Sequence, residues 1–413
     1  MSWGWEDDVM TSSALLHPFA DPAKPEGDFV KIVRAEGTTL WDDTGKTYLD
    51  AMASLWFCQI GHGNREMVDA IGTQLAQLDS HHIFDPFTHQ PAIDAAEAIR
   101  SVSPMPDGRV FLGSSGSEAV DTALKLMRQF HRLNGDPDRQ ILLRRTRGYH
   151  GTNWGGTTAQ GIEPNRDGWG DLVPHFVEID PDDVEDAARV FAEHGDRIAG
   201  VITEPIQGAG GVFPPSDGYL EGLRRLTEQH GALLCFDEVI SGFGRTGSWF
   251  ASQTYGVTPD LITFAKGVTS GYQPLSGVVV GRRVADAFES SDAMLRTGYT
   301  YSGHPAACAA GVTNIAIIER DGLVARATEI GERFEAAFAA LTRDGVIAGH
   351  RGTGAVQAAL LHADGIGTRQ RMLEGGVVVR PIGEALAFCP PLTSTDAEID
   401  TMIDVMVASI RPA

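Results

Sequence analysis

The chain is poor in lysine. Its 413 residues hold five (Lys24, Lys31, Lys46, Lys125, Lys266) against 28 arginines. Cysteine is scarcer still: Cys58, Cys235, Cys308 and Cys389 lie far apart and form no C-x-x-C pair. That spacing gives no disulfide framework and no metal site, and makes a reducing cytosol the expected compartment. No apolar run approaches the roughly 20 residues that a membrane-spanning helix needs. The opening MSWGWEDDVM lacks the basic and apolar regions of a secretory signal. Positive charge is short overall, 33 basic against 55 acidic residues for a net charge of −22. Binding to nucleic acid or anionic membrane is therefore not expected. A G-x-G-x-x-G fingerprint and a Walker lysine are also missing, which leaves dinucleotide and ATP binding without support.

Against that background Lys266 stands out as the only lysine after residue 125. Where only positive charge is needed, this chain uses arginine. A lysine retained under that bias suggests chemistry that a guanidinium cannot do: losing a proton and forming an imine with an aldehyde. Lys266 closes the apolar run Asp260-Leu-Ile-Thr-Phe-Ala-Lys266-Gly267, which reads as a strand carrying its lysine to a sheet edge.

Short apolar runs recur from about residue 109: Arg109–Leu112, Ile141–Leu143, Ile198–Thr203, Ala232–Phe236, Leu261–Phe264 and Gly277–Val280. Helical stretches such as Asp182–His194 and Gly218–His230 separate most of them. Non-alternating strands interleaved with helices predict an α/β fold with a mostly parallel sheet. In such sheets ligands bind at the carboxyl ends of the strands. The flanks differ. Residues 27–50 alternate around a hairpin signal, Asp-Asp-Thr-Gly. After about residue 306 come a long Ala-rich helical stretch, the segments Gly352–Leu361 and Gly376–Arg380, and a last helix from Asp396. The expected division is 1–55 and 311–413 as the two parts of a smaller α+β domain, with 56–310 as the large one.

Several strand ends carry polar groups. Asp237 follows Ala-Leu-Leu-Cys-Phe, where it is either a structural hydrogen-bonding group or a carboxylate that holds a cationic ring nitrogen. Lys266 lies about one helix and one strand further on, which predicts a neighbouring strand end. Gly113-Ser114-Ser115-Gly116-Ser117-Glu118 precedes a helix with Ala119, Ala123, Met127 and Phe130 on one face, a place where N–H donors and the helix dipole meet an anion. Gly148-Tyr149-His150-Gly151 sets an aromatic ring between glycines, where it can stack on a planar ligand or simply pack in a turn. An anion cradle, a stacking ring, an acid and an imine-forming lysine, in that order, describe a pyridoxal 5′-phosphate site.

The motifs GSSGSEAVDTALK, GYHG, TEPIQGAGG, FDEVISGFGRTG, LITFAKG and TYSGHP resemble those of the class III aminotransferases, fold type I pyridoxal phosphate enzymes, over essentially the whole chain. The resemblance implies Lys266 as the Schiff-base lysine and Asp237 as the partner of the pyridine nitrogen. It implies Ser115, Gly116 and Ser117 as the phosphate cradle, and Tyr149, with His150 beside it, and Val239 against the ring. Glu204 would support the Asp237 region. Thr300 would reach the phosphate of a neighbouring subunit, in a homodimer or a dimer of dimers. Ala209 and Ile240 stand where the ornithine and 4-aminobutyrate enzymes usually carry Glu and Gln. SLWFCQIGHG and VVVRPIG…FCPPL instead look like the ω-amine:pyruvate group. There Trp56 corresponds to a wall of the substrate pocket and Arg380 to an arginine that pairs the acceptor's carboxylate, with Phe84 also lining the pocket. The implied reaction passes an amino group from an amine donor to an α-keto acid acceptor in two half-reactions. A diaminopelargonate-type aminotransferase and an aminomutase remain open within the family. Outside it, the alternatives are a nucleotide-dependent oxidoreductase and a non-catalytic binding protein.

Overall fold

The structure is a computed structural model that describes residues 14–410. The N-terminal stretch read above for a secretory signal lies outside these residues. Three strands open the chain: β1 (Ile32–Glu36), β2 (Thr39–Asp42) and β3 (Thr47–Asp50). The Asp42–Gly45 turn joins β2 to β3 as expected: Asp42 Oδ1 accepts from the Thr44 N–H (2.9 Å), the Thr44 hydroxyl (2.7 Å) and the Lys46 N–H (2.9 Å). Asp and Thr are turn formers for this reason. Inside and outside residues alternate along β2 and β3, whereas β1 is exposed at all but one position.

The central sheet has seven strands: β4 (Arg109–Gly113), β5 (Ile141–Arg145), β6 (Phe176–Ile179), β7 (Ile198–Thr203), β8 (Leu233–Asp237), β9 (Leu261–Phe264) and β10 (Ser276–Val280). Their lateral order is β4-β10-β9-β8-β7-β5-β6. The pairings β9-β8-β7-β5-β6 are parallel, and β10 runs antiparallel to both β9 and β4. Every residue of β7, β8, β9 and β10 is buried, which accounts for apolar runs without alternation. Two details differ from the sequence reading. β9 is interior to the sheet, so Lys266 is carried past a strand's carboxyl end and not to a lateral edge. β5 extends through Arg144 and Arg145, both buried: Arg144 donates to the Gln160 carbonyl and pairs with Glu178, and Arg145 donates to the Thr203 hydroxyl and the carbonyls of Glu204 and Pro181.

The remaining strands are β11 (Gly349–Thr353), β12 (Val356–Leu360), β13 (Val377–Val378), β14 (Arg380–Ile382) and β15 (Ala385–Phe388). β13 pairs in parallel with β3 and so draws the two chain ends together. The other four form an antiparallel sheet, β11-β12-β15-β14. The Ala-rich stretch is two helices, Pro305–Arg320 and Leu323–Arg343. They break at Asp321-Gly322, where Gly322 adopts φ +65, a backbone state that glycine enters at little cost. The first of them packs on helices Arg65–Gln77 and Gln90–Val102.

Candidate active site

β8 and β9 pair in parallel with Asp237 opposite Thr263. This places Asp237 and Lys266, two residues beyond β9, at adjacent strand ends. Asp237 is 5% exposed. Its Oδ2 lies 2.7 Å from His150 Nδ1, and its Oδ1 accepts from the Thr263 hydroxyl (2.9 Å) and the Val239 N–H (3.2 Å). A buried carboxylate held at both oxygens is fixed in place and in plane. His150 is fully buried, and its Nε2 has no partner among the described residues.

Lys266 opens a short 3-10 turn with φ +47, a left-handed conformation that costs a non-glycine residue stability and marks functional sites. Burial lowers its proton affinity, opposed by the charges of Asp237 and Glu204. That is the direction a lysine needs if it is to act as a nucleophile or base. Glu204 follows β7. Its two oxygens accept from the backbone N–H groups of Tyr149 (2.8 Å) and Gly208 (2.9 Å), so it braces the loop that carries Tyr149 and does not touch Asp237 directly. Burial raises its carboxyl to about 7, against the pull of His150 and of those two N–H groups. Burial also raises the Tyr149 phenol, and the positive charge of Arg380 opposes that rise.

These groups line one cavity of about 150 Å³, bounded by Gly116, Ser117, Tyr149, Asp237, Val239 and Lys266. The helix Gly116–Leu133 starts at its wall. Ser115 caps that helix, accepting from the Glu118 N–H at 3.2 Å, and Ser117 Oγ accepts from the Thr152 N–H at 2.9 Å. The N–H groups of Gly116 and Ser117 have no acceptor within the helix and are available to an anion. Gly151 (φ +89) lies so close that a Cβ there would meet Ser117 Oγ at 2.5 Å. A larger groove of about 750 Å³, between this helix and residues 288–297, contains neither Lys266 nor Asp237.

The site thus unites Gly116, Ser117, Tyr149, His150, Glu204, Asp237, Val239 and Lys266. Ser115 is exposed at its rim. Arg380 is half-buried on β14, and its side chain makes no hydrogen bond or ion pair among the described residues, although its charge is felt at both Tyr149 and Lys266. Trp56 is 2% exposed and packs in an apolar cluster with Ile240, which does line the cavity. Phe84 and Thr300 are outside it. Phe84 is 45% exposed and lies within 2.9 Å of where a Cβ on Gly298 would sit; Thr300 is exposed on the same surface. Sequence reading missed Thr263, which holds Asp237. The available signal was its polarity within the apolar run Leu-Ile-Thr-Phe.

A helix N-terminus that can take an anion, a buried acid and a desolvated lysine in one cavity fit pyridoxal phosphate. His150 Nε2 also leaves an unpaired buried donor or acceptor beside the acid. Comparison with known proteins agrees. Residues 22–410 match the family model "Aminotransferase class-III", and the chain belongs to that family of pyridoxal phosphate enzymes. It is 33% identical to the putrescine–pyruvate aminotransferase of Pseudomonas aeruginosa, covering 94% of this chain and 92% of that one. It is 35% identical to the β-alanine–pyruvate aminotransferase of the same organism, covering 94% and 93%. Among solved structures, a pyridoxal phosphate-bound amine transaminase from an uncultivated Pseudomonas species superposes with a TM-score of 0.93 at 33% identity, over 97% of this chain and 98% of that one. An (S)-enantioselective ω-transaminase from Thermomicrobium roseum gives 0.92 at 33% identity, over 95% of each chain. The fold is that of the fold type I enzymes, and the chain is an aminotransferase.

Proposed function

We propose that this aminotransferase moves the amino group of an ω-amino acid or primary amine to pyruvate or a similar α-keto acid, in two successive half-reactions. The observation that carries the reading is Arg380. Its guanidinium has no partner among the described residues and lies within electrostatic reach of Tyr149 and Lys266. A carboxylate entering the cleft would gain a charge-assisted pair there, and an uncharged amine would not need it. Ala209 favours the same reading, since it stands where the ornithine and 4-aminobutyrate enzymes usually carry a glutamate.

When bound, pyridoxal phosphate supplies an aldehyde and an electron-withdrawing ring. The residues of this chain do the rest. Lys266 Nζ, its proton affinity lowered by burial, would be the amine that holds the aldehyde and, once freed, the group that moves a proton at the amine-bearing carbon of the substrate. Asp237, fixed by His150 and Thr263, keeps the ring nitrogen protonated. Gly116 and Ser117 take the phosphate. Tyr149 and Val239 pack on the ring, and Glu204 braces Tyr149. Trp56 would bound the substrate side; Phe84, outside the cavity of its own chain, would reach that side only from a second copy.

Two exposed features support a homodimer, or a dimer of dimers, with shared sites. Thr300 faces solvent beside Tyr301 (69% exposed), and Phe84 (45% exposed) lies against Gly298 of the same loop, with Phe87 (51% exposed) three residues further on. An apolar surface of this kind marks a contact site. In the proposed division into a smaller domain of 1–55 and 311–413 and a large one of 56–310, the described parts of the smaller domain are 14–55 and 311–410, and the helix Pro305–Arg320 crosses the boundary. Four free, buried cysteines accord with a reducing cytosol. No helix among the described residues is long and apolar enough to cross a membrane.

The test is a panel of amines with pyruvate or 2-oxoglutarate, scored for alanine or glutamate. Alanine should form from ω-amino acids and from uncharged primary amines. Glutamate formation without alanine would overturn the acceptor assignment, and a shifted amino group on the same molecule would mean an aminomutase.

A further inference from the structure

Arg351 and Arg380 occupy the two ends of a single row across the β11-β12-β15-β14 sheet. Arg351 is opposite Ala358, Ala358 opposite Ala387, and Ala387 opposite Arg380. Residues directly opposed in antiparallel pairs project from the same face. Three interstrand steps separate the two arginines by about 14 Å. The alanines between them are small enough for other chain to lie on that face. Val212, Trp56 and Ile240 do so, in one apolar cluster with Ala358 and Ala387.

Arg351 is bound at its own end. Nε donates to the carbonyls of Gly211 (3.0 Å) and Val212 (2.9 Å), and Nη2 donates to Gly211 (2.7 Å). The guanidinium lies 3.6 Å from the centroid of Phe213, a ring that Arg147 also approaches at 4.0 Å. Arg351 has no carboxylate partner among the described residues; backbone and ring hold it. The segment it grips is stiff. Gln207 and Phe213 exchange two backbone hydrogen bonds of 3.0 Å, and the N–H groups of Gly211 and Val212 both donate to the Gly208 carbonyl (3.1 and 2.9 Å). Gly208 in turn donates to Glu204, whose other oxygen holds Tyr149. One end of the row is therefore fastened, through residues 207–213, to the loop that carries the stacking tyrosine. The other end carries Arg380, whose side chain has no partner among the described residues and whose charge acts at Tyr149 and Lys266.

We infer that Arg351 is a positioning residue for the acceptor's carboxylate: it sets where Arg380 stands relative to Tyr149 and Lys266 by seating this sheet on the 207–213 loop. The inference rests on the proposed role of Arg380 as the carboxylate-binding group. Lysine cannot replace Arg351, because an ammonium offers no planar fork for two carbonyls and stacks poorly on Phe213.

The experiment compares Arg351→Ala, Arg351→Lys, Arg380→Ala and the double variant Arg351→Ala/Arg380→Ala in the holoenzyme. KM for pyruvate, the half-reaction with an uncharged amine and the melting temperature are measured. Calorimetric binding of propionate, which carries a carboxylate and no keto group, gives a readout independent of turnover. Both Arg351 variants should raise the pyruvate KM and weaken propionate binding roughly three- to tenfold, with the amine half-reaction changed less than twofold. Because Arg351 acts through Arg380, the double variant should bind no worse than Arg380→Ala alone. Additive losses, equal losses in both half-reactions, or full function in Arg351→Lys would overturn the positioning role while leaving that of Arg380 intact. An unchanged pyruvate KM in Arg380→Ala would overturn the acceptor reading, and this inference with it.

Discussion

The centre of the site and its rim are built differently. At the centre, Asp237, Glu204 and Lys266 sit at the ends of fully buried strands, and each carboxylate oxygen has a named protein partner within 3.2 Å. At the rim, Phe84, Phe87, Thr300 and Tyr301 stand in solvent. The centre is complete in one chain because a parallel sheet delivers its strand ends together, and their geometry is fixed by the ladder. The rim offers apolar area and a hydroxyl with nothing on them. A single chain thus holds the groups proposed to react, whereas the surfaces that would close over a substrate and a phosphate wait for a second copy in the proposed dimer.

The largest effect belongs to the centre. Lys266→Ala should keep the fold and the assembly, read from circular dichroism and scattering, and lose turnover by about 10²–10⁴-fold or more, the scale of a removed proton-transferring group. Turnover close to wild type in that variant would place the chemistry on another residue. Thr300→Ala tests the rim. The proposed role at a neighbour's phosphate predicts that cofactor dissociation rises several-fold while the half-reaction of the loaded enzyme changes little. An unchanged cofactor affinity would remove Thr300 from the site and leave the centre self-sufficient.

The smallest effect concerns pH and separates a titrating centre from an inert rim. Burial raises the Glu204 carboxyl from 4.5 in an unfolded chain to about 7. A raised acid contributes stability that is fully present below the unfolded value and is lost as pH rises through the folded one. The melting temperature of the apoprotein should therefore fall between pH 5 and pH 8 by roughly 2–4 °C more in the wild type than in Glu204→Gln. Parallel melting curves, or a steeper fall in the variant, would show that Glu204 stays ionised in the folded protein.

Much of the centre was legible in the sequence. Six of the seven strands of the large sheet announce themselves as apolar runs; in β5, β7, β8, β9 and β10 this follows from burial at every position, whereas β4 is an edge strand legible from Val-Phe-Leu alone. The missing one, β6, is an edge strand with only Ile179 buried, and Phe-Val-Glu-Ile carries too little apolar signal. The pairing of Asp237 with Lys266 followed from the length of one helix and one strand between them. Contacts made through backbone were not legible: Glu204 could be marked as an acid near the site, but not as the bracket between Tyr149 and Gly208. Nor could the row from Arg351 to Arg380 be read in advance, since it depends on the register of three strand pairs, and a one-residue slip in any of them would turn an arginine to the opposite face. Arg145 escaped for the converse reason. A charged residue at the end of an apolar run reads as solvent-facing, yet it is fully buried among carbonyls and against Tyr219, 4.4 Å away.

The scarcity of lysine has a practical consequence for handling the enzyme. Amine-directed reagents, whether fluorophores, crosslinkers or aldehyde-coated supports, find four solvent-exposed lysines among the described residues: Lys24, Lys31, Lys46 and Lys125. Three of these precede residue 50, on or beside the small N-terminal sheet, and none borders the cavity. Immobilisation through lysine side chains should therefore favour the N-terminal region, with Lys125 on the helix Gly116–Leu133 as a second point of attachment. Only a small aldehyde able to enter the cavity would reach the fifth lysine.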